Sequence, residues 1–383
     1  MVDRFSPLIK LSALALLACF GAAHAEPGVT PTSVLIGQTI ARTGGLAEHG
    51  NAVMLGIRAH IESVNAAGGI HGRKIVLKTL DDEGNAEKAA KNTQELIDTH
   101  DAFITFGGVE GGPCVASMKV ATGKKVPLVG CMAGSPELRE PYNRYVFPVR
   151  APHFSEFAKI IELSKVYGYT RYGFLHADSE TGRKHMANVN RLLLRLNLPT
   201  ATALPYKPGT DGKPDLQGMA RSIADAKLQL VFNHGSYADF ATIYREARKL
   251  GATTHFMAIN SGAAQMARLL GKDARGMVFT QVVPYPWRDA TPVVREYQAA
   301  LKKLDPNAEY SFSSLEGYIS AKVMTEGVRH TGKWLTRDRL IAAMETFDEL
   351  DLGGVKVSYT PQSHTGALFV DTVVVASDGR FVH

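Results

Sequence analysis

The run from Gly107 to Cys114 has the composition most suggestive of chemistry. It follows an apolar stretch and carries four glycines before Pro113. Proline suits the first turn of a helix because its missing N–H would be unpaired there anyway. Free backbone N–H groups at that helix start, reached closely because glycine has no side chain, would form an anion-binding corner fit for a carboxylate. A tight strand-to-helix turn that needs glycine for its dihedral angles explains the run equally well.

Motifs typical of enzymes and cofactor proteins are absent from the sequence. The glycines of the run lack the G-x-G-x-x-G spacing of a dinucleotide site, and neither a P-loop lysine motif nor a G-x-S-x-G elbow occurs. The histidines are scattered and there is no C-x-x-C pair, so we expect neither a metal nor a cofactor. A secreted hydrolase would need Cys114 or Ser179 as nucleophile, and no spacing to a histidine supports one. Binding is favoured over catalysis.

The elements that would position this loop begin with a βαβ unit between Val34 and Asp82. An apolar strand leads through Thr43-Gly44-Gly45 into a helix that ends at Asn65-Ala66-Ala67-Gly68-Gly69, and a second strand stops at Asp81-Asp82. The helix is indicated by apolar residues that share one face at the 3.6-residue period: Val53, Met54, Ile57, Ile61 and Val64. Such a unit buries its apolar surface only inside an α/β layer, so the fold class is α/β.

Strands and helices keep alternating along the chain. Further strands are predicted at Ala102–Phe106, Val126–Gly130, Tyr145–Val149, Arg171–His176, Gln229–Asn233, His255–Ile259 and Met277–Val282. Helices are predicted near 85–99, 113–123, 153–167, 182–196, 215–226, 237–250, 291–304, 312–330 and 336–346. The last segment differs, because Val355–Tyr359 and Ala367–Ala376 are predicted as strands with no helix between them.

The N-terminus has the pattern of a secretory signal. Arg4 and Lys10 accompany an apolar core from Leu8 to Phe20 that is too short to span a bilayer, and Ala23-His24-Ala25 offers a small-x-small cleavage site. Residues 1–25 are therefore predicted to be a cleaved signal peptide. Leu16-Leu17-Ala18-Cys19 approximates a lipid-attachment pattern, so a lipid anchor at Cys19 is the alternative. Both predict a protein that acts outside the cytoplasm, in the periplasm.

Size and charge narrow the remaining classes. A chain of 383 residues exceeds a single core, so two domains are expected. Its 43 Lys and Arg against 37 Asp and Glu form no basic run and no basic-aromatic pattern, so a nucleic-acid partner is not expected.

Several of these motifs together resemble a known family. Ile36-Gly37, Thr43-Gly44, the stretch Asn65 to Gly69, and Leu80-Asp81-Asp82 are similar to the opening of the branched-chain amino acid type of extracytoplasmic solute-binding proteins, the type I periplasmic binding proteins. The resemblance covers essentially the whole mature chain and is clearest over 34–150.

The resemblance implies two Rossmann-like lobes with parallel central sheets, a three-segment hinge and a ligand cleft between the lobes. The crossings would fall near Phe147–Arg150, Gln281–Pro286 and Leu350–Gly353. Lobe 1 would then comprise 26–147 and 281–349, and lobe 2 would comprise 148–280 and 350–383.

The resemblance also exposes a departure in the first-lobe loops and in the second lobe. Relatives that bind aliphatic amino acids hold the carboxylate with a serine and a threonine and the ammonium with an acid; the matching positions here are Gly111, Ala133-Gly134 and Asn260. An unpaired buried ammonium would be costly, so a solute without one is favoured, and two glycines would leave space for a bulkier one. Glu110 is either a different ammonium partner or a solvated loop carboxylate.

Further wall residues are expected at the carboxyl ends of strands, where open α/β sheets bind ligands. The expected binding set is Glu110, Gly111, Gly112, Ala133, Gly134, Ser135, Asp178, Ser179, His234, Ser236, Tyr237 and Asn260. Asp178, Ser179 and Ser236 have an alternative role as helix caps. Tyr237 offers both a stacking face and a hydroxyl, whereas His234 is also explained as a structural histidine.

Two cysteines, Cys114 and Cys131, remain after signal cleavage. In an oxidising compartment they would either form one disulfide or stay as two buried thiols, because the sequence does not supply their separation.

The leading hypothesis is a solute-binding protein that hands a small molecule to the permease and ATPase subunits of an ABC importer. The solute is expected to be amino-acid-like. A small carboxylate, aromatic or amide compound agrees better with the absence of the serine, threonine and acid that hold the amino acid in relatives. The alternative is a periplasmic ligand sensor that signals to a membrane partner without transport.

Overall fold

The computed structural model describes residues 26–206 and 213–383. The predicted signal peptide, with its alternative lipid anchor at Cys19, lies outside the described residues. The strands are β1 Ser33–Ile40, β2 Lys74–Asp81, β3 Ile104–Phe106, β4 Leu128–Val129, β5 Val146–Phe147, β6 Tyr172–Ala177, β7 Thr202–Tyr206, β8 Leu230–His234, β9 His255–Ala258, β10 Val278–Gln281, β11 Leu350–Asp351, β12 Lys356–Thr360, β13 Ser363–Ala367, β14 Asp371–Val375 and β15 Phe381–Val382.

The helices pack on both faces of the sheets. They are α1 Ala47–Ala66, α2 Ala86–Asp98, α3 Gly111–Gly123, α4 His153–Lys165, α5 Glu180–Arg195, α6 Leu216–Asp225, α7 Tyr237–Lys249, α8 Ala263–Leu270, α9 Pro292–Leu304, α10 Phe312–Thr331 and α11 Arg337–Met344. Among the described residues, no helix is both long enough and apolar enough to cross a membrane.

Lobe 1 is built on a five-stranded sheet in the order β2-β1-β3-β4-β5, with every pair parallel. The predicted βαβ unit forms β1, α1 and β2. Its helix ends where predicted, and the Asn65 side chain donates to the Ile75 carbonyl oxygen at 2.8 Å and accepts from the Ile75 N–H at 2.8 Å. This pair of hydrogen bonds fixes the end of α1 against the start of β2.

Helices α1 and α10 cross at very close range. A Cβ placed on Gly56 would lie 1.7 Å from the Ser314 carbonyl oxygen, and one on Gly317 would lie 2.2 Å from that of Val53. Glycine at both positions therefore lets the two backbones touch. The contact sets the first turns of α10, and with them Glu316, relative to the first-lobe sheet.

Lobe 2 is built on a seven-stranded sheet in the order β15-β14-β10-β9-β8-β6-β7. Strands β10, β9, β8, β6 and β7 are parallel, whereas β14 is antiparallel to β10 and β15 is antiparallel to β14. Buried apolar side chains form one core on each face of the sheet. The expected α/β class with parallel central sheets in two lobes is confirmed.

The strands β11, β12 and β13 form a separate three-stranded sheet that packs with lobe 1. Val357 and Tyr359 belong to the same buried core as Phe147, and the Tyr359 hydroxyl donates to the Pro148 carbonyl oxygen at 2.9 Å. Residues 350–367 therefore lie with lobe 1, which corrects their expected assignment to lobe 2. The third crossing runs between β13 and β14 instead of near Leu350–Gly353.

Candidate functional site

A cavity of about 620 Å³ lies between the two lobes. Lobe 1 contributes Glu48 and His49 at the start of α1 and Phe312 and Glu316 at the start of α10. The remaining wall comes from the second-lobe loop that begins at Asn260, from Gln281 at the end of β10, and from the aromatic side chains Tyr285, Trp287 and Phe381. Part of the cavity wall is thus polar and part of it aromatic.

The polar side continues into a buried cluster of charges around Arg150, in the first crossing. Its Nη2 donates to Glu156 Oε1 at 2.6 Å and to Asn260 Oδ1 at 2.8 Å, and its Nη1 lies 3.7 Å from Glu316 Oε1. Glu156 Oε2 also accepts from the Thr280 hydroxyl at 2.6 Å and from the Asn260 N–H at 3.0 Å. The cluster ties the hinge to both lobes, because Glu316 belongs to lobe 1 and Glu156 to lobe 2.

The pKa values of the carboxyl groups in this cluster shift in opposite directions. Burial acts to raise the pKa of Glu156, but Arg150 and His153 outweigh it and lower that pKa to about 2. Burial raises the pKa of Glu316, where Arg150 opposes the shift and the charges of Glu156 and Glu110 add to it. Burial likewise raises the pKa of Glu110 against the opposing effect of Arg150. At Glu156 the charge of Arg150 and the hydrogen bonds outweigh burial, whereas at Glu316 and Glu110 burial outweighs Arg150.

Glu110 lies at the start of α3 in a backbone conformation that side chains rarely adopt, with φ 69°. Its carboxylate accepts no hydrogen bond from any residue that the structure describes. Gly107 and Gly108 before it have φ 71° and 97°, so the turn does require glycine there. Strain of this kind is common where a loop is held for binding. The anion-binding role of this corner stays a prediction.

Cys114 and Cys131 form a disulfide with a Cα–Cα distance of 5.9 Å. Of the two alternatives left open by the sequence, the structure has the bridge. It joins the first turn of α3 to the loop after β4 and so holds together the two first-lobe loops expected to line the cleft.

The two loop glycines lie in close contact with neighbouring atoms. A Cβ on Gly111 would lie 2.5 Å from the Ser135 hydroxyl oxygen, and one on Gly134 would lie 2.6 Å from the backbone nitrogen of His153. Gly134 instead accepts a hydrogen bond from the His153 N–H at 3.1 Å, directly beside the first crossing. At Gly134 the backbone of His153 therefore leaves no extra room, whereas at Gly111 the space is taken by the end of the Ser135 side chain, and extra room there stays a prediction. Ala133 and Ser135 beside them are buried.

Three of the expected second-lobe residues hold local structure. The Ser179 hydroxyl accepts from the Gly182 N–H at 3.1 Å and caps α5, and the Ser236 hydroxyl accepts from the Asp239 N–H at 3.2 Å and caps α7. Asp178 is exposed and pairs with Arg183 at 3.2 Å. These contacts match the capping alternative for the two serines, while a ligand contact by any of the three stays a prediction.

His234 belongs to a group of buried imidazoles. Its ring centroid lies 4.1 Å from that of His185 and 4.8 Å from that of His153. Burial, with repulsion from the neighbouring imidazoles, lowers the pKa of all three to about 3. Tyr237 packs against the second-lobe core and against the backbone of Gly262. Of the expected residues, Asn260 lines the cavity and Glu110 lies close enough to Glu316 to raise its pKa.

Comparison with known proteins identifies the family. The family described as Periplasmic binding protein matches residues 33–380. The chain belongs to this family. The resemblance found in the sequence is confirmed: this periplasmic binding protein is of type I and of the branched-chain amino acid kind.

The relatives of this periplasmic binding protein are binding proteins. It is similar to a protein of Salmonella typhimurium named as a leucine-specific-binding protein, at 22% identity with 86% of this chain and 89% of that protein covered. It superposes on a possible leucine/isoleucine/valine-binding protein from Rhodopirellula baltica with a TM-score of 0.82 and 25% identity, covering 93% and 98%. An extracellular ligand-binding receptor from Verminephrobacter eiseniae gives 0.81 and 26%, covering 92% and 100%.

Sequence reasoning missed several polar residues of the cleft, namely His49, Arg150, Gln281 and Glu316. The sequence pattern does mark one of these residues, Glu316. Glu316 shares a helix face with Ile319, Ser320 and Val323, so it lies at a buried position of α10. Burying a carboxylate there is costly unless it is paired. Arg150 gave no such signal, because its partners are 6 to 166 residues away in the sequence.

Proposed function

We propose that this periplasmic binding protein captures a small solute by closing its two lobes over the cleft and delivers it to the permease and ATPase subunits of an ABC importer. The family and the names of the relatives support a solute-binding role in transport. In this mechanism no covalent bond of the solute is made or broken.

The observation that carries the proposal is the origin of the cavity wall. Helices α1 and α10 of lobe 1 supply one half, and the loop after β9 together with Phe381 supplies the other. Separation of the lobes would divide this wall, so a solute that touches both halves binds the closed form better than the open one. That difference in affinity is what shifts a hinge equilibrium, since equal affinity for both forms shifts nothing.

The solute belongs to one of the classes that suit this cavity. It is amino-acid-like, or it is a small carboxylate, aromatic or amide compound. The aromatic side supports an apolar or aromatic body, and the polar side supports a head group with hydrogen-bonding atoms. The relatives named for leucine, isoleucine and valine support the first class, whereas Asn260 in place of an acid supports the others.

Thermal unfolding tests the proposal directly. The processed protein, freed of bound solute by denaturation and refolding, is heated with aliphatic amino acids, aromatic carboxylates, dicarboxylates and small amides. A solute at a hundred times its Kd adds about 2.7 kcal/mol to the free energy of unfolding, which raises the melting temperature clearly. We expect at least one class to do so and to reduce the radius of gyration in solution scattering. Stabilisation without compaction would contradict capture by closure.

A further inference from the structure

Four histidines of lobe 2 form a cluster beside the first crossing: His153, His176, His185 and His234. The His185 and His234 ring centroids are 4.1 Å apart, and the His153 ring lies 5.4 and 4.8 Å from them. His176 lies close enough to His185 and His234 to lower their pKa values. His153, His176 and His185 are each 5% exposed or less. The four residues come from α4, β6, α5 and β8, so only the fold brings them together.

Several ring nitrogens of this histidine cluster lack partners. Among the described residues, both ring nitrogens of His185, Nε2 of His176 and Nδ1 of His234 have no hydrogen-bond partner. In the same part of the chain, no group of three or more His, Cys, Asp or Glu side chains is placed to hold a metal ion. A protonated imidazole donates from both nitrogens, and a buried charge without partners is costly. The packing of the cluster therefore favours neutral rings.

The charged groups that face the cluster do not compensate for a further proton. Glu156 is the carboxylate that acts on His153, His185 and His234, and its Oε1 already accepts from Arg150 Nη2 at 2.6 Å and from His153 Nδ1 at 3.0 Å. Arg150 repels a proton on His153 and His234. Burial is the largest cause of the lowered pKa values of these rings, and their mutual repulsion adds to it.

The cluster lies beside contacts between the lobes. The Gly134 carbonyl oxygen of lobe 1 accepts from the His153 N–H at 3.1 Å, and a Cβ on Gly134 would lie 2.7 Å from His153 Nδ1. Glu137 of lobe 1 contacts the first two turns of α5, which also carry His185. Separation of the lobes would remove the Gly134 backbone from the His153 ring and Glu137 from α5. Opening would therefore bring water to the edge of the cluster.

We propose that the histidine cluster makes closure of the lobes sensitive to pH, so that mild acid opens the cleft and releases the solute. The closed form keeps the rings neutral, and a ring binds a proton only after opening has brought water to it. The release of solute rests on the proposed solute-binding function, because the same cleft is regulated.

The direction of the effect follows from the proton affinity of the two forms. In the closed form the pKa of His153 is lowered to about 3, whereas water around the ring returns it toward 6.5. Above pH 6.5 the ring is neutral in both forms, and closure has its full stability. Below that pH the open form binds a proton that the closed form does not bind until about pH 3. From pH 7.5 to pH 5.5 the ratio of closed to open molecules should fall about tenfold for each ring that opening exposes.

Small-angle scattering of the processed, solute-free protein at pH 7.5 and pH 5.5 tests the proposal. We expect a larger radius of gyration at pH 5.5, with the helix content measured by circular dichroism unchanged. An equal radius of gyration at both pH values overturns the proposal. Expansion that accompanies a loss of helix would be unfolding and would overturn it as well.

His153→Asn tests the ring that Gly134 covers. Asparagine keeps an N–H donor for Glu156 and removes the titrating group, so this variant should stay compact at pH 5.5. If it fails to fold, His185→Leu is the second variant: it removes a ring whose nitrogens lack partners and should weaken the response to pH. The control is His60→Gln. His60 also has a pKa of about 3, but it lies within lobe 1 and pairs through Nε2 with Thr325 at 2.7 Å, so this variant should expand like the unmodified protein.

The contrary outcomes separate this inference from the proposed function. Expansion of His153→Asn and His185→Leu equal to that of the unmodified protein overturns the role of the cluster. Loss of the response in His49→Asn alone would do the same, because His49 is a lobe 1 imidazole of the cavity wall whose pKa is lowered to about 4. These results leave the solute-binding function intact, since no solute is present. A solute panel without effect on the melting temperature would instead overturn the function, and with it the release of solute, but not the opening by acid.

Discussion

Single residues decide how closely the lobes approach beside the hinge. Gly134 contacts His153 through a backbone hydrogen bond of 3.1 Å, and there is no room for a side chain between them. The glycine at this position therefore allows close contact between the lobes; it does not enlarge the space for a solute. At Gly111 the contact lies within lobe 1, where the Ser135 hydroxyl occupies the place of a side chain.

Gly134→Ala should destabilise the protein. The added Cβ would lie 2.6 Å from the His153 nitrogen, so the backbone must shift, and overpacking of this kind costs about 1–3 kcal/mol. Chemical denaturation of the solute-free protein measures the loss. Gly45→Ala is the matched control, because an added Cβ there meets no atom within 4 Å; it should be neutral or stabilising by up to about 1 kcal/mol. Equal effects of the two changes would show that the close contact is not important.

The residues of the site were predictable only where the signal is local. Ser179 and Ser236 precede helices, and the capping alternative read from the sequence matches their hydrogen bonds. Glu316 is visible in the sequence as a carboxylate on an apolar helix face, but its neighbour Arg150 is brought to it only by the fold. Charge balance in a cleft is a sum over distant elements, so no short motif contains it.

At the scale of elements, most of the α/β alternation was predicted because apolar periodicity is strong in buried strands and amphipathic helices. Strand β7 was missed: it is an edge strand, with Thr202 and Ala203 exposed, and it contains Pro205, which normally argues against a strand. Helix α8 was also missed, since it is short and begins after Gly262, so that no capping side chain marks its start. The pairing of β11 to β13 with lobe 1 depends on tertiary packing around Tyr359 and could not be read from local pattern.

The disulfide should stabilise the element pair that it joins. Cys114 and Cys131 are 17 residues apart, and closing a loop of about that length is worth roughly 3 kcal/mol through the unfolded state. The double change Cys114→Ser and Cys131→Ser should lower the free energy of unfolding by about that amount, measured by denaturation. The control is a reductant added to the unmodified protein in denaturant, where the buried bridge becomes accessible; it should give a similar loss. An unchanged free energy of unfolding under these conditions would contradict the bridge.

For the whole molecule, contacts outside the buried cluster also join the lobes across the cleft. Glu48 at the start of α1 pairs with Arg268 on α8. Glu137 of lobe 1 accepts from the Thr181 hydroxyl at 2.8 Å and lies 3.6 Å from Lys184 Nζ, both on α5. The structure therefore has the lobes in contact, and these pairs exist only while the cleft is narrow.

Arg268→Glu should shift the solute-free protein toward the open form. Exposed ion pairs are worth about 0.2–1 kcal/mol, so replacing attraction with repulsion should lower the ratio of closed to open molecules by about two- to fivefold. Small-angle scattering should then report a larger radius of gyration. The exchange Glu48→Arg with Arg268→Glu restores opposite charges and should restore the compact form.

Arg245→Glu is the matched control for this shift, because Arg245 pairs with Asp273 inside lobe 2, at 3.8 Å. It makes the same change of charge without touching the cleft and should leave the radius of gyration unchanged. Expansion by Arg245→Glu equal to that by Arg268→Glu would assign the effect to net charge. Failure of the double exchange to recover compactness would likewise mean that the Glu48–Arg268 pair does not hold the lobes together, and that closure depends on the other contacts, those of Glu137 and of the buried cluster around Arg150.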